Sequence, residues 1–323
     1  MNFFEKIEAF WIQLNDSVFE LITTPLLSYF HALAYQEMAF DITNAVLLGG
    51  LELIILFLFI RPLETLLPAE HWQNREGTGI DILYTFLHRL GLIPAFLFLI
   101  IWPLTNRMDA FLRLHQLSPP PLDDYIPGLE QSSVLTWLVY LIILDGVAYL
   151  VHRALHQWNW AWALHSVHHS QQKMSLWSDD RTHILEDFIN LSVPAVISLF
   201  IGIPPSQFLV LMMCTRLLQN LAHANLQTDF GILGRWLLVS PHFHRVHHGM
   251  EQGSQGQGHS CNYSILFSFW DRLFRTSSYP NHTPATGIKD QLTGTNYGQG
   301  FWEQQWLGIC RLIQVLNPKI KTR

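Results

Sequence analysis

The chain has 323 residues, a net charge of −6, 49% hydrophobic residues and 14% charged residues, where an ordinary soluble domain carries roughly 25% charged. That balance points to a membrane protein, and the acidic charge argues against a nucleic-acid partner, which needs a basic surface. Three scattered cysteines, Cys214, Cys261 and Cys310, make neither a disulfide framework nor a thiolate metal site.

In chain order, Met1–Phe19 is amphipathic and reads as one or two helices lying against the membrane. It lacks the basic start and small-residue cleavage site of a secretory signal. The first span is expected over Ile42–Ile60, with Glu52 its single charge and Arg61-Pro62 at its boundary. A second is expected over Ile82–Trp102, interrupted early by His88 and Arg89, and Ser118-Pro119-Pro120-Pro121 then breaks the chain. The third span, Val134–Val151, runs directly into His152. Phe188–Leu218 is too long for one span and short for two, with Pro204-Pro205 at its middle, so it reads as a hairpin of two tilted helices.

A paired hairpin returns the chain to the side it left, which puts His152–His169 and His223–His248 on one membrane face. Arg61, Arg153, Lys173, Arg181, Arg235 and Arg245 lie near that face, against mainly Arg107 and Arg113 on the other, so the histidine face is expected in the cytoplasm. Beyond it come a turn region, Gly253–Gly258, an apolar segment too short to span, Tyr263–Phe274, and an amphipathic helix over Phe301–Leu316, docked on the membrane or on the catalytic domain. The expected organisation is therefore N-terminal membrane-associated helices (1–39), a first transmembrane pair with its connection (40–132), a catalytic domain (133–276) and a C-terminal extension (277–323). The fold class is an all-α integral membrane protein with about four transmembrane helices, two of them a short hairpin, and a cytoplasmic helical cap.

Histidine is the residue that stands out, at 17 copies against 19 Lys and Arg together. Eleven of them fall between His152 and His248. His152 and His156 are one helical turn apart and can reach one ion. Asp145 and Tyr149 share their stripe, and Asp145 either takes the free N–H of a ligating imidazole or pairs with an Arg or Tyr inside the bundle. His165, His168 and His169 form one HxxHH group, His244, His247 and His248 a second, and His223 stands between them at the end of the hairpin. His183 and His242 fall outside the repeated spacings. Nine imidazoles exceed what one ion holds, since zinc takes about four ligands and octahedral iron about six, so two ions are implied.

Imidazole suits zinc as well as iron. A zinc-dependent membrane hydrolase would need a general base, and no HExxH occurs. A metal transporter would spread its histidines through the membrane midplane, whereas these gather at span ends. Redox activation of O2 beside a lipid fits an all-nitrogen shell best, and hydrogen abstraction from a C–H bond needs no protein acid or base.

HxxxH…HxxHH…HxxHH resembles the signature of the fatty acid hydroxylase / sterol desaturase superfamily. Further matches are His169-Ser170, Arg181-Thr182-His183, His223 with Asn225, Pro241-His242-Phe243-His244-Arg245, Asn262-Tyr263 and Trp270-Asp271-Arg272-Leu273-Phe274-Arg275-Thr276, and the likeness covers Leu135–Thr276. The resemblance implies two irons in a cytoplasmic cap, O2 as co-substrate, and hydroxylation, desaturation or oxidative cleavage of a lipid. No cytochrome b5-like haem domain is evident, so electrons are expected from a separate ferredoxin, cytochrome or reductase. Sterol, fatty acyl chain, ether lipid, sphingolipid and carotenoid all remain open as substrates, and a bacterial inner membrane is the expected location.

Behind the nine ligands, Asp145, Arg181, His183, Asn225, Asn262 and Asp271 are expected as supporting residues, with Trp270-Asp271 either orienting ligands or locking the cap to the helices. Some members carry another histidine where this chain has Gln219. That departure leaves a tenth ligand open, with His183 or a water held by Asn225 as the candidates to fill the place.

Overall fold

The computed structural model describes residues 3–74, 77–117, 120, 122–126, 128–129, 133–203, 205–251 and 260–319. The expected turn at Gly253–Gly258 and, apart from Pro120, the break at Ser118–Pro121 lie outside the described residues.

The described chain is helical, with isolated bridges in place of a sheet. Helix α1 (Phe3–Val18) and a π-helical turn lead into α2 (Thr24–Tyr29). This N-terminal unit is tied to α3 (Gln36–Ile55) by Trp11 Nε1 to Asn44 Oδ1 at 2.9 Å and by Thr23 to Thr43 through their hydroxyls at 2.8 Å. A second π-helical turn carries α3 into α4 (Arg61–Leu66), which makes Leu33–Leu66 one long apolar element. Among the described residues, four helices are long and apolar enough to cross a membrane: Leu33–Leu66, Leu92–Leu114, Val134–Gln157 and Ile184–Ile201.

The second span departs from the sequence reading. The chain breaks at Gly91, whose φ of 76° is left-handed and favours glycine. Helix α5 (Thr78–Arg89) stops there and α6 (Leu92–Leu114) is the apolar element. His88 and Arg89 therefore do not interrupt a span; they end a separate helix and are buried in protein. Gly49 of α3 lies directly against the Arg89 carbonyl, where an added Cβ would come within 1.8 Å of the oxygen. Gly49→Ala is thus expected to force α3 and α5 apart and cost about 1–3 kcal/mol, read as a lowered unfolding temperature in detergent.

After the short α7 (Leu122–Tyr125), α8 (Ser133–Gln157) continues without a break from the apolar span through His156, as the i, i+4 pairing requires. Helix α9 (Asn159–His169) turns back beside it. The region expected as a hairpin holds two helices, α10 (Ile184–Ile201) and α11 (Pro205–His223), with Gly202 at φ 69° between them, and α10 is the one that is a candidate span among the described residues. At a rise of about 1.5 Å per residue, α10 is about 27 Å long, barely the hydrocarbon thickness. It starts four residues before the expected Phe188 because His183 caps it, its Nδ1 accepting from Leu185 N at 3.1 Å.

The cap is built from short helices, α12 (Gly231–Trp236), α13 (Pro241–His247) and α14 (Phe269–Leu273), together with the loops around them. Helix α15 (Phe301–Leu316) packs against α9. Gln305 Nε2 bonds the Thr182 carbonyl at 2.9 Å and Tyr84 Oη at 3.0 Å, while Trp302 and Trp306 on its other face stay exposed. Of the two sites expected for this helix, the structure shows contact with α9, which carries three of the histidines.

Candidate metal centre

Four helices deliver the nine histidines. Helix α8 ends in His152 and His156, α9 in His165, His168 and His169, α11 in His223, and α13 supplies His244 and His247, with His248 just past its end. All nine are at most 6% exposed. They separate into two groups: His152, His156, His165, His169 and His247 in one, and His168, His223, His244 and His248 in the other. Within each group one nitrogen per ring lies within 4.8 Å of all the others.

The division follows helix geometry. Residues four apart lie on the same face, and residues one apart are turned by about 100°. The i, i+4 pairs His152/His156, His165/His169 and His244/His248 each stay within one group. The remaining member of each HxxHH crosses over, His168 to the four-imidazole group and His247 to the five-imidazole group. Each HxxHH therefore stitches the two groups together. The sequence reading, which took each HxxHH as one group, did not distinguish the two metal groups.

The rings are arranged for cations. Backbone carbonyls can only accept, so several Nδ1 atoms must carry the hydrogen. His152 Nδ1 donates to the Tyr263 carbonyl at 2.8 Å, His247 Nδ1 to Cys261 at 2.7 Å, His168 Nδ1 to Arg181 at 3.3 Å and His223 Nδ1 to Gln219 at 2.8 Å. His165 Nδ1 meets the Glu186 carboxylate at 2.7 Å, and His156 Nδ1 meets Ser260 Oγ at 3.0 Å. A neutral ring protonated at Nδ1 presents a bare lone pair at Nε2.

The Nε2 atoms face one another, and between His168 and His223, whose Nδ1 atoms both donate to carbonyls, two lone pairs meet. His156 and His165 approach through Nε2 at 3.1 Å, His168 and His223 at 3.2 Å, His223 and His244 at 2.9 Å, and His244 and His248 at 3.2 Å. Facing lone pairs repel unless a cation lies among them, and about 3 Å is the separation of adjacent nitrogens bound at roughly 2.1 Å and right angles to one ion. His247 Nε2 is buried without a protein partner, as a ligand atom would be. The residues fit two metal ions.

Burial, and then the neighbouring imidazoles, push His168, His169, His244 and His248 well below the ordinary histidine range, and burial takes His247 down to about 3. The rings are thus neutral and ready to ligate near pH 7. The unfolded chain takes up protons that the folded cage refuses. Stability is therefore complete above about pH 6.5, the ordinary histidine value, and falls as pH drops from there towards the depressed values. Acid titration of the metal-free protein, followed by thermal unfolding, should show this loss. A melting temperature flat from pH 7 to 4 would contradict it.

The residues expected behind the ligands take varied places. Asp145 faces the cap loop: its carboxylate accepts from Leu266 N at 2.9 Å, Phe267 N at 3.0 Å and Trp270 Nε1 at 3.0 Å. Asp271 accepts from Tyr263 N at 2.9 Å, Ser264 N at 2.7 Å and the Thr276 hydroxyl at 2.6 Å. Asn262, at φ 58°, bonds the Phe243 and Ser278 carbonyls at 2.9 Å each. These three side chains shape the 260–267 loop, whose Ser260, Cys261 and Tyr263 meet the rings. Arg181 acts through its carbonyl on His168, while its guanidinium reaches Asp81 at 3.2 Å and Ser170 at 3.0 Å. Asn225 bonds Glu70 N at 3.0 Å and Glu64 through its own N–H at 2.8 Å. His183 engages both ring nitrogens elsewhere, Nδ1 in its cap and Nε2 on the Gln305 carbonyl at 3.0 Å, so it stands outside both groups. His242 likewise points away, to the Pro280 carbonyl at 3.0 Å.

Sequence reasoning missed Glu186. It is 1% exposed, lies in the first turn of α10 and backs His165. A carboxylate at the start of an otherwise apolar span was the available signal.

Residues 137–276, which carry all nine histidines, match the family model described as fatty acid hydroxylase. The histidine-bearing region is thus similar to the fatty acid hydroxylase family. Among the relatives, alkylglycerol monooxygenase of Caenorhabditis elegans is 33% identical over 154 residues, covering 48% of this chain and 29% of that protein. Ornithine lipid hydroxylase OlsE of Rhizobium tropici is 26% identical over 267 residues, covering 81% and 73%. Very-long-chain aldehyde decarbonylase GL1-9 of Oryza sativa subsp. indica is 29% identical over 233 residues, covering 71% and 82%. The chain spans about a third of the length of the alkylglycerol monooxygenases it matches. No solved structure matches it.

Proposed function

We propose that this chain is an O2-dependent di-iron oxygenase that hydroxylates or desaturates a membrane lipid, drawing electrons from a separate redox protein. The observation that carries the reading is the pair of adjoining imidazole groups with their Nε2 atoms converging. Bound iron would supply the activation of O2 and the oxidation of an unactivated C–H bond. The protein's part is to bind and orient. Nine imidazoles hold the metals, the Tyr263, Cys261, Arg181 and Gln219 carbonyls fix ring tautomers, and the Glu186 carboxylate raises the basicity of His165. Burial keeps bulk water from the cage.

The cage lies at the ends of α8 and α11, which favours a substrate presented from the bilayer. The relatives' names, an alkylglycerol monooxygenase and an ornithine lipid hydroxylase, support an amphiphilic lipid and oxygen insertion. Metal analysis joined to mass spectrometry of lipids turned over with and without O2 tests the reading. Two irons per chain and a product carrying one added oxygen, or lacking two hydrogens, are expected. Full zinc occupancy under native loading, with turnover independent of O2, would overturn it in favour of a hydrolase.

The arginine and lysine bias around the cage supports a cytoplasmic face for it. Helix α15 packs on α9, so both lie on one side of the membrane. Green fluorescent protein fused after Arg323 should therefore fluoresce, and alkaline phosphatase at the same place should be inactive. The reverse pattern would invert the topology.

A further inference from the structure

Among the described imidazoles, each metal group contains one ring with a carboxylate at Nδ1. In the five-imidazole group it is His165, with Glu186 at 2.7 Å. In the four-imidazole group it is His223, with Asp179 Oδ1 at 3.2 Å. The two carboxylates are held differently. Asp179 precedes α10, in the segment leading from α9, and its other oxygen lies 3.6 Å from the Arg89 guanidinium.

Arg89 is the hub of that surrounding. It is 1% exposed and reaches Glu52 Oε2 of α3 at 2.6 Å, Asp180 Oδ2 at 3.3 Å and Asn220 Oδ1 of α11 at 2.5 Å. Asn220 in turn bonds the Leu176 carbonyl at 3.0 Å. One guanidinium thus joins α3, α5, the 176–180 segment and the turn of α11 that immediately precedes His223. Arg216 of α11 acts on the same three carboxylates. Arg89 and Glu52 lie outside the family-matched residues 137–276.

We propose that Asp179, held in place by Arg89, is a positioning residue for the four-imidazole metal group, acting through His223. The inference rests on the dimetal reading of the cage. His223 Nδ1 also has the Gln219 carbonyl at 2.8 Å, a partner any helix supplies from residue i−4. That carbonyl alone is enough to fix the tautomer. What Asp179 adds is charge: a carboxylate behind the imidazole raises its basicity and its hold on a cation. Burial and the neighbouring Asp180 push that carboxyl up to about 7, and Arg89 offsets part of this cost, since an unpaired buried charge is strongly unfavourable. The upstream helices thereby act on the metal site although they contribute no ligand to it.

The test uses the purified full chain in detergent. Asp179→Asn keeps shape and removes charge, while Arg89 retains Asp180 and Glu52. Release of metal to a chelator is followed in the wild type, Asp179→Asn, Arg89→Lys and, for the other group, Glu186→Gln. Asp179→Asn is expected to speed release of one of the two metals about 10–100-fold and to leave the other unchanged, with Arg89→Lys intermediate. In iron-57-loaded protein, Asp179→Asn should shift one Mössbauer doublet and Glu186→Gln the other. Unchanged release and unchanged spectra in folded Asp179→Asn would overturn the proposal and leave the cluster a structural one. Release is read on whichever metal the protein carries, so a zinc-loaded wild type would sink the di-iron reading while still testing this one.

Discussion

His247→Ala is expected to empty the five-imidazole group and lower lipid oxidation by more than about 100-fold, since losing even a residue that only orients a ligand costs 10–100-fold. The His247 ring lies 4.5 Å from that of His152 and 4.6 Å from those of His156 and His169, centroid to centroid. Its Nδ1 is committed to the Cys261 carbonyl, so only Nε2 can ligate. His244→Ala should do the same to the other group, where its ring is 4.2 Å from His223 and 4.8 Å from His248. Each variant should retain about half of the wild-type metal. His242→Ala is the control, because that ring bonds Pro280 and belongs to neither group. Wild-type metal content and turnover in His247→Ala would remove it from the site.

Asp271→Ala is expected to have the largest effect on stability. Its carboxylate is fully buried and accepts two backbone N–H groups, from Tyr263 and Ser264, and the Thr276 hydroxyl. Removing it leaves two buried amides unsatisfied at about 1–3 kcal/mol each. The sum is a large part of the 5–15 kcal/mol that an ordinary domain has to spare. The loop carries the carbonyls that orient His152 and His247, so metal retention should fall together with the unfolding temperature. Asp271→Asn should recover little, because an amide nitrogen cannot accept the second N–H. Melting curves of detergent-solubilised variants check this, and an Ala variant as stable as the wild type would contradict it.

Much of the site was legible before any coordinates. The nine imidazoles stand out because eight of them repeat at offsets of three and four, and helix geometry aligns the i, i+4 pairs within each helix. The break into two helices was legible from length, because thirty apolar residues around a Pro-Pro pair fit two short helices. The second span was misplaced because apolar composition continues across Leu90-Gly91, and only the left-handed turn at Gly91 shows that the chain stops and restarts there.

The supporting residues were harder to read. Asp145 shares a helical stripe with His152, yet its carboxylate goes to amides 121 and 122 residues away. Hydrogen bonding at such range depends on how the cap loop folds over α8, and no local spacing encodes that. Glu186 and Asp179 reach their histidines for the same reason, across elements that are brought together by packing.

Sequence by itself determined that the protein is a membrane protein with nine candidate ligands for two metals, because hydropathy and i, i+4 spacing are local properties of the chain. Tertiary structure alone decided which ring belongs to which metal group and what stands behind each ring. Those assignments turn on the relative rotation of α8, α9, α11 and α13, and on buried hydrogen bonds between residues distant in sequence.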